Sequence, residues 1–357
     1  MYFIGIDLGT SGLRAILVDK FGSFVASSES NYEVSNPNPG WSEQNPESWI
    51  NACKLVFHDL RDNFPKEVSK LKSIGVAGHM HGAVLLNNLH APVRPCILWN
   101  DTRSYKEAQS LDNLSKVRDI SGNIVFPGFT APKLLWVKNN EPDIFKQIKT
   151  VVLPASYLNT WLIGTPVADM SDSAGTSWLD VKLRKWSEYL VVSSDMHLEQ
   201  MPKLVEGNQI AGQIRTELAS ELGFPKDVIV VGGAGDNAAA ACGVGAIKEG
   251  EGLVSLGTSG VLLVSRDQCK PYPDAAVHTF CHAIPEKWYQ MGVILSATDS
   301  LNWLSKISGK TAAELDNLLP NEPTGPANER FFPYLSGERT PLNDAHIRAG
   351  FSGLGQT

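Results

Sequence analysis

Leu8-Gly9-Thr10-Ser11-Gly12 recurs letter for letter at Leu256-Gly257-Thr258-Ser259-Gly260, and this pair decides the fold. Apolar runs flank both copies: Tyr2 to Ile6 and Leu13 to Val18 around the first, Leu253 to Ser255 and Val261 to Val264 around the second. Each copy therefore reads as strand, glycine-rich turn, strand. The glycines give the backbone freedom a tight turn needs, while Thr and Ser add hydroxyls and a run of N–H groups able to face an anion. One such turn is ordinary hairpin chemistry. Two, each opening a candidate domain, predict a duplicated architecture with a pair of phosphate-facing hairpins across a cleft.

Outward from these turns, strands alternate with helices. Pro46 to Phe64 places Trp49, Ala52, Leu55, Val56 and Leu60 at helical spacing behind a proline start. Short apolar runs at 73–77, 83–86, 96–99, 150–153 and 228–231 read as strands, with helical stretches at 105–114, 133–137 and 236–244. This alternation predicts layered α/β domains. The polar, glycine-rich segment Ile247 to Gly252 reads as a connector and divides the chain into 1–246 and 247–357. With 43% hydrophobic and 19% charged residues, the 357-residue chain can build packed cores. A net charge of -7 argues against nucleic acid and anionic membrane as partners. The five scattered cysteines form no CxxC pair, which disfavours a disulfide framework or a zinc site and suits a reducing interior. The start MYFIGIDLGTSG has no basic segment of a signal peptide, and no apolar run is long enough to span a bilayer, so the expected location is the cytoplasm.

Three groups of residues could carry chemistry. Asp7 ends the first strand beside the turn, where two anions would repel unless a cation sat between them; Mg²⁺ suits such an oxygen ligand, often through retained water. The other reading of Asp7 is a turn-capping residue. Asp236 follows Gly232, Gly233 and Gly235 at the start of an alanine-rich helix. It could be a simple cap. The glycine density suggests instead close approach by a ligand or the other domain, with Asp236 as the base that accepts a hydroxyl proton in phosphoryl transfer. The third group is Gly78-His79-Met80-His81-Gly82 with Trp99-Asn100-Asp101-Thr102-Arg103. Strand alternation would turn His79 and His81 to opposite faces, which disfavours a shared metal. Paired donors and acceptors with an aromatic face are what a polyol site uses, although a satisfied polar loop has the same composition.

Taken together, the motifs resemble the FGGY family of carbohydrate kinases, within the actin, Hsp70 and hexokinase superfamily. The likeness runs over nearly the whole chain. Ile4 to Gly12 and Ser255 to Gly260 are similar to the two phosphate motifs, and Gly128 to Asn140 to the first family signature. Trp41 to Gln44, Met80 to Gly82, Trp99 to Arg103, Asp169 to Asp172 and Tyr334 to Pro341 resemble the family's pentulose-phosphorylating members. The resemblance implies two actin-like, ribonuclease H-like ATPase domains and transfer of the γ-phosphate of Mg²⁺-ATP to D-xylulose or a related pentulose. It implies Asp236 as catalytic base and Asp7 as the carboxylate near the metal. Met80, His81, Trp99, Asn100, Asp101, Arg103 and Asn237 fall to the sugar, and Gly9 to Gly12 with Gly257 to Gly260 to the nucleotide phosphates. A homodimer is a family expectation. His79 stands where those members carry Gln, which would add titration near neutral pH. The second family signature only begins at Gly350, so the second domain is expected to be incomplete, about a quarter of a normal chain short, and weak in ATP binding. Alternatives from the residues are another pentulose or polyol kinase such as a ribulose or glycerol kinase, a non-catalytic sugar-binding remnant, or an actin-like assembly protein.

Overall fold

Inward-facing alternation builds the first sheet. In the computed structural model, which describes residues 1–320, 322, 325 and 328–355, β1 (Tyr2–Leu8) buries Ile4, Ile6 and Leu8 while β2 (Gly12–Asp19) buries Leu13, Ala15 and Leu17. The two strands pair antiparallel across the first glycine turn, and β3 (Phe24–Asn31) continues the meander. Helix α1 (Pro46–Asn63) starts where Asn45 accepts a hydrogen bond from the Glu47 amide and Pro46 fills the first turn. Its inner stripe is Trp49, Cys53, Val56, Phe57 and Leu60. Leu55, which the spacing placed on that stripe, is exposed. The phase is set by Cys53 and Phe57, two residues from the leucine on either side.

Strand β4 (Leu71–Gly78) runs parallel to β1 and ends level with it, Leu8 opposite Gly78. Helix α2 (Thr130–Asn140) begins three residues before the expected stretch, because Pro132 sits in its first turn, where no amide is needed. Strands β5 (Ile210–Gln213), β6 (Ile229–Val231) and β7 (Ala234–Gly235) complete a seven-stranded sheet in the order β5-β6-β4-β1-β2-β3, with β7 also on β4. Helix α3 (Asp236–Gly243) leaves directly from β7. The runs at 83–86 and 150–153 pair with each other as Val84–Leu86 and Thr150–Val152, and Cys96–Ile97 pairs with Glu43–Gln44.

A second, four-stranded antiparallel sheet holds the repeated motif: β8 (Gly252–Leu256), β9 (Gly260–Arg266), β10 (His278–Cys281) and β11 (Trp288–Ile294), in the order β8-β9-β11-β10. Helix α4 (Thr298–Ser308) follows. One apolar cluster joins the two parts, with Met80, Ala234 and Ala238 from the first packed against Leu263, Phe280 and Tyr289 of the second. Among the described residues, no helix is long and apolar enough to cross a membrane.

Candidate active site

A cleft of about 260 Å³ lies between the sheets. The ends of β1, β4 and β7 point into it, since parallel strands in register release their chains at one level. Asp7, Gly9 and Thr10 form one wall, Ser259 of the second hairpin another, and Asp236 with Asn237 lies at the start of α3. The two glycine hairpins therefore share one cavity.

The first hairpin is fixed by its carbonyls. Tyr32 Oη donates to the Gly9 carbonyl at 2.6 Å, Gln44 Nε2 to that of Thr10 at 2.7 Å, and the Tyr32 amide to that of Ser11 at 3.1 Å. Trp99 Nε1 holds the Thr10 hydroxyl at 3.0 Å. In the second hairpin, Gly257 accepts from the Thr298 amide at 3.0 Å and Thr258 from the Ala297 amide at 2.8 Å. Among the described residues, the amides of Thr10, Ser11, Thr258 and Ser259 have no protein acceptor, so both turns present donors of the kind that holds anionic oxygen.

Asp236 opens onto the cavity. Its Oδ1 accepts from the Asn237 amide at 2.7 Å and from Asn237 Nδ2 at 2.9 Å. Its depth in the cleft raises its carboxyl to about 6, against those two hydrogen bonds and with a further push from the Asp7 charge. The Asp7 carboxyl is also raised by desolvation, with Arg14 pulling it back. Position 236 is pinned from behind: Ser171 Oγ accepts from the Gly235 amide at 3.0 Å and donates to Asp169 Oδ1 at 2.5 Å. Asp172 beside it is wholly buried, and burial with the charges of Asp169 and Asp236 pushes its carboxyl well up.

The glycines before Asp236 have a different use from the one expected. A Cβ on Gly233, whose φ is +84°, would meet the Val76 carbonyl at 2.0 Å, and one on Gly232 the Glu206 carbonyl at 2.4 Å. Gly235 packs against Met80. Their bareness serves close packing against backbone and Met80, and no ligand is needed to explain it.

His79 and His81 also depart from expectation, since both line the cavity. The strand ends at Gly78 and His81 takes a left-handed φ of +70°, which breaks the alternation. A clamp holds that residue: Thr130 Oγ1 and the fully buried Lys133 Nζ both donate to the His81 carbonyl, at 3.1 and 2.8 Å. His81 stacks on Phe129 with ring centroids 4.4 Å apart, and its Nδ1 lies 2.6 Å from the Gly175 carbonyl. Burial and the Lys133 charge lower His79 to about 3, so it does not titrate near neutral pH, and burial lowers His81 to about 3 as well.

Of the WNDTR stretch only Trp99 reaches the cavity. Asn100 faces a shallow groove beside Pro37 to Ser42. Asp101 and Arg103 are buried in a doubled ion pair, Nη2 to Oδ2 at 2.7 Å and Nε to Oδ1 at 2.9 Å, with Glu43 a further partner of Arg103 at 2.7 Å. The Arg103 guanidinium lies 3.6 Å from the centre of the Trp41 ring. These residues hold a loop together and have no free polar surface for a sugar. Ser11, Gly12, Gly257, Thr258 and Gly260 shape the hairpins without lining the cleft. Two polar cavity residues escaped the sequence reading as site residues, His278 of β10 and Arg339, along with the apolar Met291 and Val293 of β11. Only the order of motifs marks Arg339, in Gly337-Glu338-Arg339-Thr340, and no local signal marks His278. The oxygen donors here, Asp7 carboxylate with Thr10 and Ser259 hydroxyls, suit the hard cation that accompanies a nucleotide.

Two family models match the chain: the N-terminal domain of the FGGY family of carbohydrate kinases over residues 2–243, and its C-terminal domain over 252–357. Xylulose kinase of Klebsiella pneumoniae is 44% identical over 99% of this chain and 73% of its own length, and that of Bacillus subtilis 34% identical over 99% and 72%. Among solved structures, a xyloylose kinase from Brucella ovis superposes with a TM-score of 0.98 at 54% identity, covering 100% of this chain and 74% of that one. A gluconate kinase from Lactobacillus acidophilus gives 0.92 at 27% identity, over 99% and 73%.

Proposed function

The chain belongs to the FGGY family of carbohydrate kinases, and on that premise we propose that it phosphorylates D-xylulose, moving the γ-phosphoryl group of ATP to the 5-hydroxyl. The observation that carries this reading is the single cleft holding both glycine hairpins, Asp7 and Asp236. The xylulose kinase relatives favour a pentulose as acceptor.

In this reading Asp236 accepts the proton of the attacking hydroxyl. A carboxyl near 6 is ionised at neutral pH yet basic enough to take that proton. Asn237 orients it through two hydrogen bonds. Met80 and His81 hold the ketose, with Trp99 at the rim. The amides of the two turns hold the phosphates, and most of the rate comes from alignment and charge neutralisation. Asp7 would hold Mg²⁺ through its water shell, and the ion would supply positive charge to the transferring group. Walls from both halves line the cleft, and their closing over the bound sugar would exclude water that competes as nucleophile. We place the division between the halves at Ile247, and Asn100, Asp101 and Arg103 leave the sugar site.

A coupled assay with Mg²⁺-ATP across D-xylulose, L-xylulose, D-ribulose, L-ribulose, gluconate and glycerol tests the reading, with D-xylulose expected to give the highest kcat/KM. Asp236→Asn is expected to lower kcat by about 10²-fold to 10⁴-fold while ketose binding by calorimetry is retained. Turnover equal to wild type would remove Asp236 as the base.

A further inference from the structure

Arg339 reaches the cavity from the second half of the chain. The loop that carries it is fastened to β11. Thr340 exchanges hydrogen bonds with Val293, amide to carbonyl at 3.0 Å and amide to Thr340 Oγ1 at 3.0 Å, and Thr340 Oγ1 donates to the Ala276 carbonyl at 2.8 Å. The adjacent Glu338 carboxylate is taken by two backbone amides, Leu295 at 3.0 Å and Arg339 itself at 2.7 Å. The Arg339 guanidinium lies 4.8 Å from the centre of the Phe126 ring, across the cleft in the first half. Among the described residues it has no side-chain hydrogen bond and no ion pair within the protein. A guanidinium largely withdrawn from water and lacking a protein acceptor is built for an acceptor on a ligand.

Its place in the cleft says which part of the ligand. Arg339 lies on Phe126, whose ring meets His278 with centroids 5.4 Å apart, and the neighbouring Phe129 stacks on His81, whereas Asp236 follows Gly235 at the strand ends beside the first hairpin, Gly78 pairing with both Leu8 and Gly235. The base and the guanidinium thus stand on different walls of the same cavity. His81 adds a constraint of its own. Its Nδ1 faces a carbonyl, which only accepts, so Nδ1 carries the proton and Nε2 of the neutral ring is an acceptor. This end of the cavity therefore asks the ligand for an acceptor and a donor side by side. A ketose offers that pair at C2 and C1, as a carbonyl oxygen beside a hydroxymethyl group.

We propose that Arg339 is a specificity-determining residue that donates to the C2 carbonyl of the ketose while His81 Nε2 accepts from the C1 hydroxyl. The second half of the chain then reads the sugar as well as the nucleotide, and the site tells a ketose from the corresponding polyol. This inference rests on the reading of the protein as a ketose kinase.

The test compares wild type with Arg339→Met, which keeps an apolar stem on Phe126, and with Arg339→Lys. KM and kcat are measured for D-xylulose, KM for ATP, and the inhibition constant for xylitol, in which the carbonyl is reduced. Arg339→Met is expected to raise KM for D-xylulose 10-fold to 100-fold, with kcat and the KM for ATP within threefold of wild type. Xylitol inhibition should change by a smaller factor than the KM for D-xylulose, because the tetrahedral C2 hydroxyl of xylitol is a weaker and differently directed acceptor than the carbonyl oxygen. Arg339→Lys, which keeps charge without the fork, should fall between the two. Equal losses on D-xylulose and xylitol would mark a structural role and overturn the proposal. So would a loss confined to kcat and the KM for ATP, which would assign Arg339 to the phosphates. Active wild type with an unaffected Arg339→Met overturns this inference alone, whereas wild type that phosphorylates no ketose overturns the functional reading beneath it.

Discussion

The hairpin at Leu8–Gly12 is held by side chains from outside its sheet, Tyr32, Gln44 and Trp99, whereas the one at Leu256–Gly260 is held by the backbone amides that open α4. The strand before the first turn is packed into the core and ends in Asp7 and Leu8. The strand before the second ends in Ser255 and Leu256, and Leu256 is 68% exposed where its counterpart Leu8 is fully buried. Identical letters thus give the same turn with different surroundings. Turn geometry is local to five residues, and burial and charge are decided by what packs around them. The first hairpin has a carboxylate beside it, Asp7, where the second has Ser255.

That asymmetry predicts unequal responses to matched substitutions. Asp7→Asn is expected to lower kcat by about 10²-fold or more, and Ser255→Ala to change it less than threefold. A matching loss at both positions in the same assay would break the comparison. Stability should divide the same way: Leu13→Ala, at a fully buried position of β2, is expected to cost about 2–5 kcal/mol in chemical denaturation. Leu262→Ala, at an exposed position of β9, should cost about 0.5 kcal/mol or less in the 357-residue chain. The pH profile sharpens the functional side. Asp236 acts as a carboxylate, so kcat/KM should be flat above about pH 6 and fall roughly tenfold per unit below it. An acid limb near pH 4, the ordinary carboxyl range, would show that the cleft does not shift this group. The smallest effect concerns the clamps. Tyr32→Phe removes one hydrogen bond to the first turn and should cost about 1 kcal/mol in ATP binding, near fivefold in KM. Thr298→Val, which spares the backbone clamp of the second turn, should cost less.

How far the sequence could be read follows from the range of the forces involved. The hairpins, α1 and the helix opening at Asp236 were legible, because turns, caps and apolar periodicity are short-range signals. Leu55 misled because a helical step from Ala52 admits it as readily as Val56, and such a stripe cannot be phased without its partner surface. The glycines before Asp236 pointed to a ligand, yet the atoms that need the space belong to Val76 and Glu206, far along the chain. Asp101 and Arg103 have the composition of a sugar site and the geometry of an ion pair, and only the nearness of Glu43 and Trp41 separates the two. His278 lies beyond local reading altogether, as it comes near His81 only across Phe129, whose ring touches both.

Met80 marks the limit of what this cleft can accommodate. Its side chain is wedged so tightly that a single added carbon on Gly175 or Gly235 would come within 2.9 to 3.0 Å of it, and the Tyr289 hydroxyl rests 3.7 Å from its sulfur. The space behind Met80 is taken by Gly175, Gly235 and Tyr289, so in the proposed sugar site a ketose one carbon longer would grow toward the mouth. Selection for hexuloses would then begin among residues of the rim.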